Sequence, residues 1–153
     1  MTFKQTGAGI VLGLISGTIL GLFFKWIQGS TGIRVYVLLL NVDFIPVFAS
    51  KNLPEWQEFS FHLLISIIIG VVFVYLKEKL NISSKGGWLL SMLLTFPTVF
   101  LYFPLSYLAV QEVPGILNGM AIFLWTAGHL IYALSIPPLY KQTTKTKIKL
   151  KKG

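Results

Sequence analysis

The most regular feature of the sequence is a series of four long apolar runs separated by shorter polar segments. The runs cover roughly residues 6–24, 59–76, 86–109 and 116–136. A helix needs about 20 residues to cross the hydrocarbon core of a bilayer. The second run reaches that length only if its helix begins near Pro54, and proline suits a first helical turn. The pattern predicts an all-α integral membrane bundle of four transmembrane helices.

A fifth apolar stretch, IRVYVLLLNVDFIPVF at residues 33–48, is interrupted by polar residues and a proline. It contains Arg34, Asn41, Asp43 and Pro46. Charged side chains are costly inside a bilayer, and proline removes a helical hydrogen bond. We therefore predict a short interfacial or re-entrant segment between helices one and two. A fifth crossing is the alternative, and it would place the C-terminal tail opposite the N-terminus.

The composition agrees with a bilayer as the solvent. Hydrophobic residues make up 54% of the chain and charged residues 12%, whereas soluble domains carry about 25% charged residues. The absence of cysteine excludes disulfides, thiolate metal sites and cysteine nucleophiles. No phosphate-binding glycine loop, nucleophile–base pair or nucleic-acid-binding pattern is present. We predict a non-enzymatic membrane protein with no cofactor and no nucleic-acid partner.

The positive charges predict an orientation in the membrane. With four spans, ten Lys and Arg residues lie on the side of the termini and three on the other side. The positive-inside rule then places both termini in the cytoplasm. The tail, residues 141–153, is predicted to be disordered and separate from a single transmembrane domain, residues 1–140. Its lysines either contact anionic lipid or serve only as a topology signal.

Four glycines recur at every fourth position of the first predicted helix: Gly9, Gly13, Gly17 and Gly21. This spacing puts them on one helix face, where another backbone can approach closely. The partner is either a helix of the same chain, which we favour because the bundle must pack itself first, or a second copy or another membrane protein. The second alternative would make the protein a structural or assembly partner.

Polar residues follow one face of the second predicted helix. Glu55, Glu58, His62 and Ser66 are spaced by three or four residues, so they share a face. The stripe is either part of a proton or solute path, or a polar rim in which His62 is hydrogen-bonded.

The same residues leave a metal-dependent membrane enzyme open as an alternative. Asp43, Glu55, Glu58 and His62 would supply oxygen and nitrogen ligands. However, neither an HExxH nor a paired ExxH motif is present. We therefore predict no metal site.

The second histidine, His129, lies near the middle of the fourth predicted helix. It stands 12 residues before Lys141, or about 18 Å along the helix, and an ionisable residue at this depth should face the bundle interior. Counting to equal depth along the other helices predicts one polar layer, made of Ser16, Ser66, Thr98, Tyr102 and His129. The depths of the two histidines differ by about 10 Å or more, so we do not expect one site to hold both.

Two functions are open for this layer. The first is a proton or solute path, and its candidate residues are His129, His62, Glu55, Glu58, Ser66 and Tyr102. The second is a neutral imidazole that locks the bundle through hydrogen bonds. In the third predicted helix, Pro97 and Pro104 each free a backbone carbonyl, which predicts kinks rather than a transport path.

Four segments resemble the YagU family of bacterial inner-membrane proteins. They are GLISGTILGLFFKW (13–26), HLLISIIIGVVFVYLKEKL (62–80), GGWLLSMLLTFPTVFLYFPL (86–105) and AGHLIYALSI (127–136). The most distinctive matches are the histidine that opens the second helix and the Gly-His pair of the fourth. This chain differs in its shorter outer segment and its lysine-rich tail. The resemblance implies a helical inner-membrane protein without an established activity, loosely associated with acid tolerance, and it favours a role in pH or envelope stress.

Overall fold

The computed structural model describes residues 3–48 and 53–150, with side chains up to Thr143. Within these ranges the chain forms helices and no β-strand. In chain order the helices are α1 (Phe3–Thr31), α2 (Val35–Leu40), α3 (Glu55–Lys79), α4 (Ser84–Phe100), α5 (Tyr102–Leu108) and α6 (Gly119–Leu150).

Four stretches of the described chain are long and apolar enough to cross a membrane: Phe3–Thr31, Glu55–Lys79, Ser84–Leu108 and Gly119–Thr143. The predicted all-α bundle with four spans is therefore confirmed. Pro54 is the N-cap of α3, which agrees with the predicted start of the second span. Glutamates in the first turn of α3 and lysines in its last turn complement the helix dipole.

The helices do not pack equally. α1 is central, because it packs closely along α3 and also contacts α6, and α4 packs mainly on α6. α3 and α4 are joined by a short turn but contact each other much less. Within the described residues, α3 and α5 hardly touch. A gap therefore separates α3 from the second half of the third span, which contains α5.

The glycine face of α1 is covered by α3 of the same chain. A Cβ atom on Gly13 would lie 2.5 Å from the Ser66 carbonyl oxygen, and one on Gly17 would lie 2.6 Å from Ser66 Oγ. α3 contributes Gly70, where a Cβ would lie 2.5 Å from the Gly9 carbonyl oxygen. Only glycine allows two backbones to approach this closely. We call this contact the glycine seam, and it also includes Gly21 against the Phe59 ring.

The start of α1, the end of α3 and the later part of α6 meet at one end of the bundle. The carboxylate of Glu78 accepts hydrogen bonds from the Gln5 amide and the Tyr140 hydroxyl there. This agrees with four spans, because after every second span the chain returns to the end of the bundle from which it started.

The segment between the first two spans docks onto the bundle at the other end. Val35 and Leu38 of α2 are completely buried. In the turn that follows, Asp43 Oδ2 accepts from the backbone N–H groups of Val110 (3.1 Å) and Gln111 (2.7 Å). The predicted short segment is thus a six-residue helix and a turn that cover one end of the gap beside α3.

The third span is broken near Pro104. Proline has no N–H to bond the Phe100 carbonyl and its ring clashes with that carbonyl, and α4 ends at Phe100. Pro97, by contrast, lies inside α4. The Trp125 indole N–H donates to the Thr98 carbonyl at 3.2 Å, so the neighbouring helix ties down the chain close to the break.

The backbone of residues 141–150 is helical, in contrast to the disorder predicted for residues 141–153. α6 continues without interruption to Leu150. Lysine and glutamine have good helix propensity, and extending an existing helix avoids the cost of nucleation. Residues 151–153 lie outside the described residues.

Candidate functional site

A cavity of about 320 Å³ occupies the gap between α3 and the third span. Its walls come from all six helices and from the turn after α2, and they are mostly aliphatic and aromatic. α3 lines it from Glu58 to Ile69, a length of about 16 Å along the helix. α6 forms its floor with Trp125, His129 and Tyr132.

The cavity opens sideways, toward the lipid. Leu64 and Ile65 on α3 line it and are 52% and 51% exposed, and Leu101 at the α4–α5 break also lines it and is 45% exposed. Exposed apolar side chains within transmembrane spans face acyl chains. A molecule from the bilayer therefore meets the opening directly.

His62 extends from α3 toward α1 and lines this cavity. Its Nε2 atom lies 2.9 Å from the Gly17 carbonyl oxygen. Because a carbonyl oxygen only accepts, Nε2 carries the hydrogen and Nδ1 of the neutral ring is an acceptor. Phe59 packs edge-on against the ring, with centroids 5.7 Å apart.

His129 is held by its own helix. Its Nδ1 atom lies 2.8 Å from the Trp125 carbonyl oxygen one turn earlier, and its side chain is enclosed by the Trp125 and Phe24 rings. The same reasoning makes Nε2 the acceptor. In the part of the chain that the structure describes, neither His129 Nε2 nor His62 Nδ1 has a hydrogen-bond partner.

The expectation that the histidines belong to separate sites was wrong, because both line the same cavity. The two do differ in depth, but the cavity is elongated along α3. A separation measured along a helix axis therefore does not exclude a common site.

Ser66 ties three helices together at the cavity wall. Its Oγ donates to the Gly13 carbonyl at 2.8 Å and lies 2.9 Å from the Tyr132 hydroxyl. Ser66 thus joins the glycine seam to α6. Tyr132 was absent from the predicted site residues, although it follows His129 by one turn on the same helix face.

Asn41, in the segment after α2, is a site residue that sequence reasoning missed. It is 3% exposed and lines the cavity. Its Oδ1 accepts from the Asp43 N–H (2.9 Å) and the Gln111 amide (3.1 Å), which fixes the orientation of the side chain. Its Nδ2 has no partner among the described residues, and a buried unpaired donor costs about 1–3 kcal/mol.

The two glutamates of the predicted stripe separate. Glu58 lines the cavity, whereas Glu55 pairs with Lys25 at 2.6 Å and accepts a hydrogen bond from Tyr36 at 2.8 Å. Burial, followed by the hydrogen bond to Glu55, raises the pKa of Tyr36 well above its ordinary value. Glu55 therefore belongs to an exposed ion pair and not to the cavity.

The predicted midplane layer does not form one group. The Tyr102 hydroxyl donates to the Gly115 carbonyl at 2.8 Å, and Ser16 donates to the Leu12 carbonyl of its own helix at 2.8 Å. Neither side chain lines the cavity. Counting residues gives depth but not the direction a side chain faces, so only part of the layer converges: Ser66, Thr98 and His129.

The ligand set considered for a metal enzyme is not assembled. Asp43 binds backbone N–H groups and Glu55 binds Lys25. Within residues 3–48 and 53–150, no three His, Asp or Glu side chains come together as a possible metal site.

Comparisons of the chain with protein-family models, curated proteins and solved structures gave no match. The resemblance to the YagU family therefore stays a prediction. Function has to be inferred from the cavity itself.

Proposed function

We propose that the protein is a non-enzymatic, multi-pass membrane protein of the bacterial inner membrane that responds to protons through its cavity. One observation carries this proposal: His62 and His129 line the same cavity, and each bonds a backbone carbonyl with one ring nitrogen while its other nitrogen has no hydrogen-bond partner among the described residues. Imidazole ordinarily changes charge between about pH 5 and 8. Each ring can take up a proton without losing the bond that holds it.

A response to protons is favoured over proton conduction because the cavity ends inside the bundle. One turn beyond Ile69 and Tyr132, the side chains of Phe73 and Ile136 are completely buried and line none of it. A conduction path needs polar or hydrated groups across the whole membrane.

Protonation would change the forces inside the cavity. Among the described residues that line it, Glu58 is the only charged one, and no lysine or arginine is among them. Two imidazolium groups would repel each other, and their former acceptor nitrogens would become donors. We expect α3 and α6 to move relative to each other, which is how an acid-stress protein would convert pH into a signal.

Trp125 provides the test, because its ring centroid lies 4.5 Å from that of His129. Replacing the exposed Trp26, Trp56 and Trp88 by Phe leaves Trp125 as the single tryptophan. We expect its fluorescence in liposomes to follow a sigmoidal pH curve that His129→Gln abolishes. A flat curve, or one that neither His129→Gln nor His62→Gln changes, would contradict the proposal. Proton flux through the wild-type protein would instead support a conduit.

The orientation is part of the same proposal, with both termini in the cytoplasm and the C-terminal lysines near anionic lipid. It is supported by the distribution of Lys and Arg residues. Since the chain has no cysteine, Gly115→Cys and Gln142→Cys each provide one label site. An impermeant thiol reagent should label the first in intact spheroplasts and the second only after permeabilisation. The reverse result would invert the topology.

A further inference from the structure

We infer that the cavity binds a single-chain lipid with an uncharged, hydroxyl-bearing head, of the monoacylglycerol type. This inference rests on the proposed function, since it names the ligand of the same cavity. It does not require the histidines to change charge.

The walls and the opening select the hydrocarbon part of the ligand. Apolar side chains form most of the lining, and the exposed Leu64 and Ile65 stand at the mouth. A volume of about 320 Å³ is at the lower end of the roughly 300–1,000 Å³ of small-molecule sites. The cavity therefore suits one chain that enters from the bilayer, rather than a two-chain phospholipid.

The unpartnered polar atoms select the head. His62 Nδ1 and His129 Nε2 are acceptors, and Asn41 Nδ2 is a buried donor. All three residues line the cavity, so a head that bonds an imidazole must donate a hydrogen bond, and a head that bonds Asn41 Nδ2 must accept one. A glycerol ester does so, because its hydroxyl groups donate to the imidazoles and its oxygens accept from Asn41.

Charge excludes the common anionic heads, and hydrogen-bonding capacity excludes a cationic one. The described part of the lining contains Glu58 and no basic residue, so a carboxylate or phosphate there would lie near a like charge without a counter-ion. An ammonium head carries only donors and leaves the Asn41 amide N–H unsatisfied. An uncharged head matches every one of these groups.

The test uses the protein with Trp125 as its single tryptophan, in liposomes at about pH 8, where imidazole is neutral. The probe is a medium-chain monoacylglycerol with a brominated chain, which quenches tryptophan on contact. Trp125 is buried and lines the cavity, so saturable quenching reports entry. The matched brominated fatty acid and alkylamine are the comparison ligands.

Two substitutions and one control variant locate the binding. Leu105→Phe narrows the cavity, while Leu108→Phe on the same short helix lies outside its lining and is the control. We expect at least tenfold weaker binding for the first and no change for the second. Asn41→Asp keeps the acceptor and replaces the unpaired donor with a negative charge, and we expect about tenfold weaker binding.

The inference is overturned if the fatty acid or the amine binds as tightly as the monoacylglycerol. It is also overturned if the brominated monoacylglycerol quenches Trp125 equally in the Leu105→Phe and Leu108→Phe variants. Failure of the proposed function is distinguishable from these results. If the lipid does not bind but Trp125 still responds to pH, only the proposed ligand is contradicted. If the lipid binds but Trp125 does not respond to pH, only the proposed proton response is contradicted.

Discussion

Two faces of α3 pack in opposite ways. On the face toward α1, Gly70 and Ser66 meet Gly9, Gly13 and Gly17 at backbone distance. On the face toward the third span, large side chains such as Phe61 and Leu64 line a cavity. In lipid, helices gain stability chiefly where backbones approach closely. A helix fixed firmly along one face can therefore leave its other face loosely packed and available for a ligand.

The largest effect on stability is expected when one carbon is added to the closely packed glycine seam. Gly13→Ala puts a Cβ against the backbone of Ser66 and Ile67, which cannot rotate away, and we expect a loss of about 2–3 kcal/mol. Gly7→Ala is the control, because nothing lies within 4 Å of its Cβ position. Thermal unfolding in detergent should separate the two variants, and equal stability would contradict close packing of the seam.

The next largest effect is expected where the seam joins α6. Ser66→Ala leaves the Tyr132 hydroxyl without the partner now 2.9 Å away. Hydrogen bonds between membrane helices contribute about 0.6 kcal/mol on average and up to about 1.7. A double-mutant cycle with Tyr132→Phe should give a coupling free energy of about 1 kcal/mol. Purely additive effects would show that this bond does not link α3 to α6.

A smaller effect is expected on the loose face of α3. Leu105→Phe adds volume where the cavity has room, so we expect the free energy of unfolding to change by less than about 1 kcal/mol. The same unfolding assay therefore contrasts a tolerated large side chain with a destabilising methyl group at Gly13. A loss as large as that of Gly13→Ala would mean that the gap is tightly packed.

The smallest effect concerns the end of the bundle at which Tyr36 bonds Glu55. The raised pKa of Tyr36 means that the folded protein holds this proton more tightly than the unfolded chain. Its stabilisation is complete below the unfolded pKa of about 10 and is lost as pH rises through the folded value. Unfolding midpoints should fall above about pH 10, and less so in Tyr36→Phe. An identical decline in the two proteins would assign the loss to other groups.

The sequence predicted those parts of the fold that depend on local pattern. Run lengths located the four spans, Pro54 marked the start of α3, and the spacing of the glycines marked a packing face. The candidate site was predicted less completely. His62, His129, Glu58 and Ser66 do line the cavity, but Glu55 and Tyr102 do not. Their spacing placed them at suitable depths, while their partners, Lys25 and the Gly115 carbonyl, come from other segments.

By itself, the sequence determined that the helices suit a lipid bilayer, how many of them can span it, and which residue types are available to a site. Hydropathy, helical rise and residue chemistry are local properties, so a sequence pattern contains them. Tertiary structure decided which polar side chains meet. Asn41 and His129 are 88 positions apart, yet they line one cavity because α2 docks over the gap that the broken third span leaves beside α3. The rotation and docking of helices depend on contacts between distant segments, and no pattern within one segment contains them.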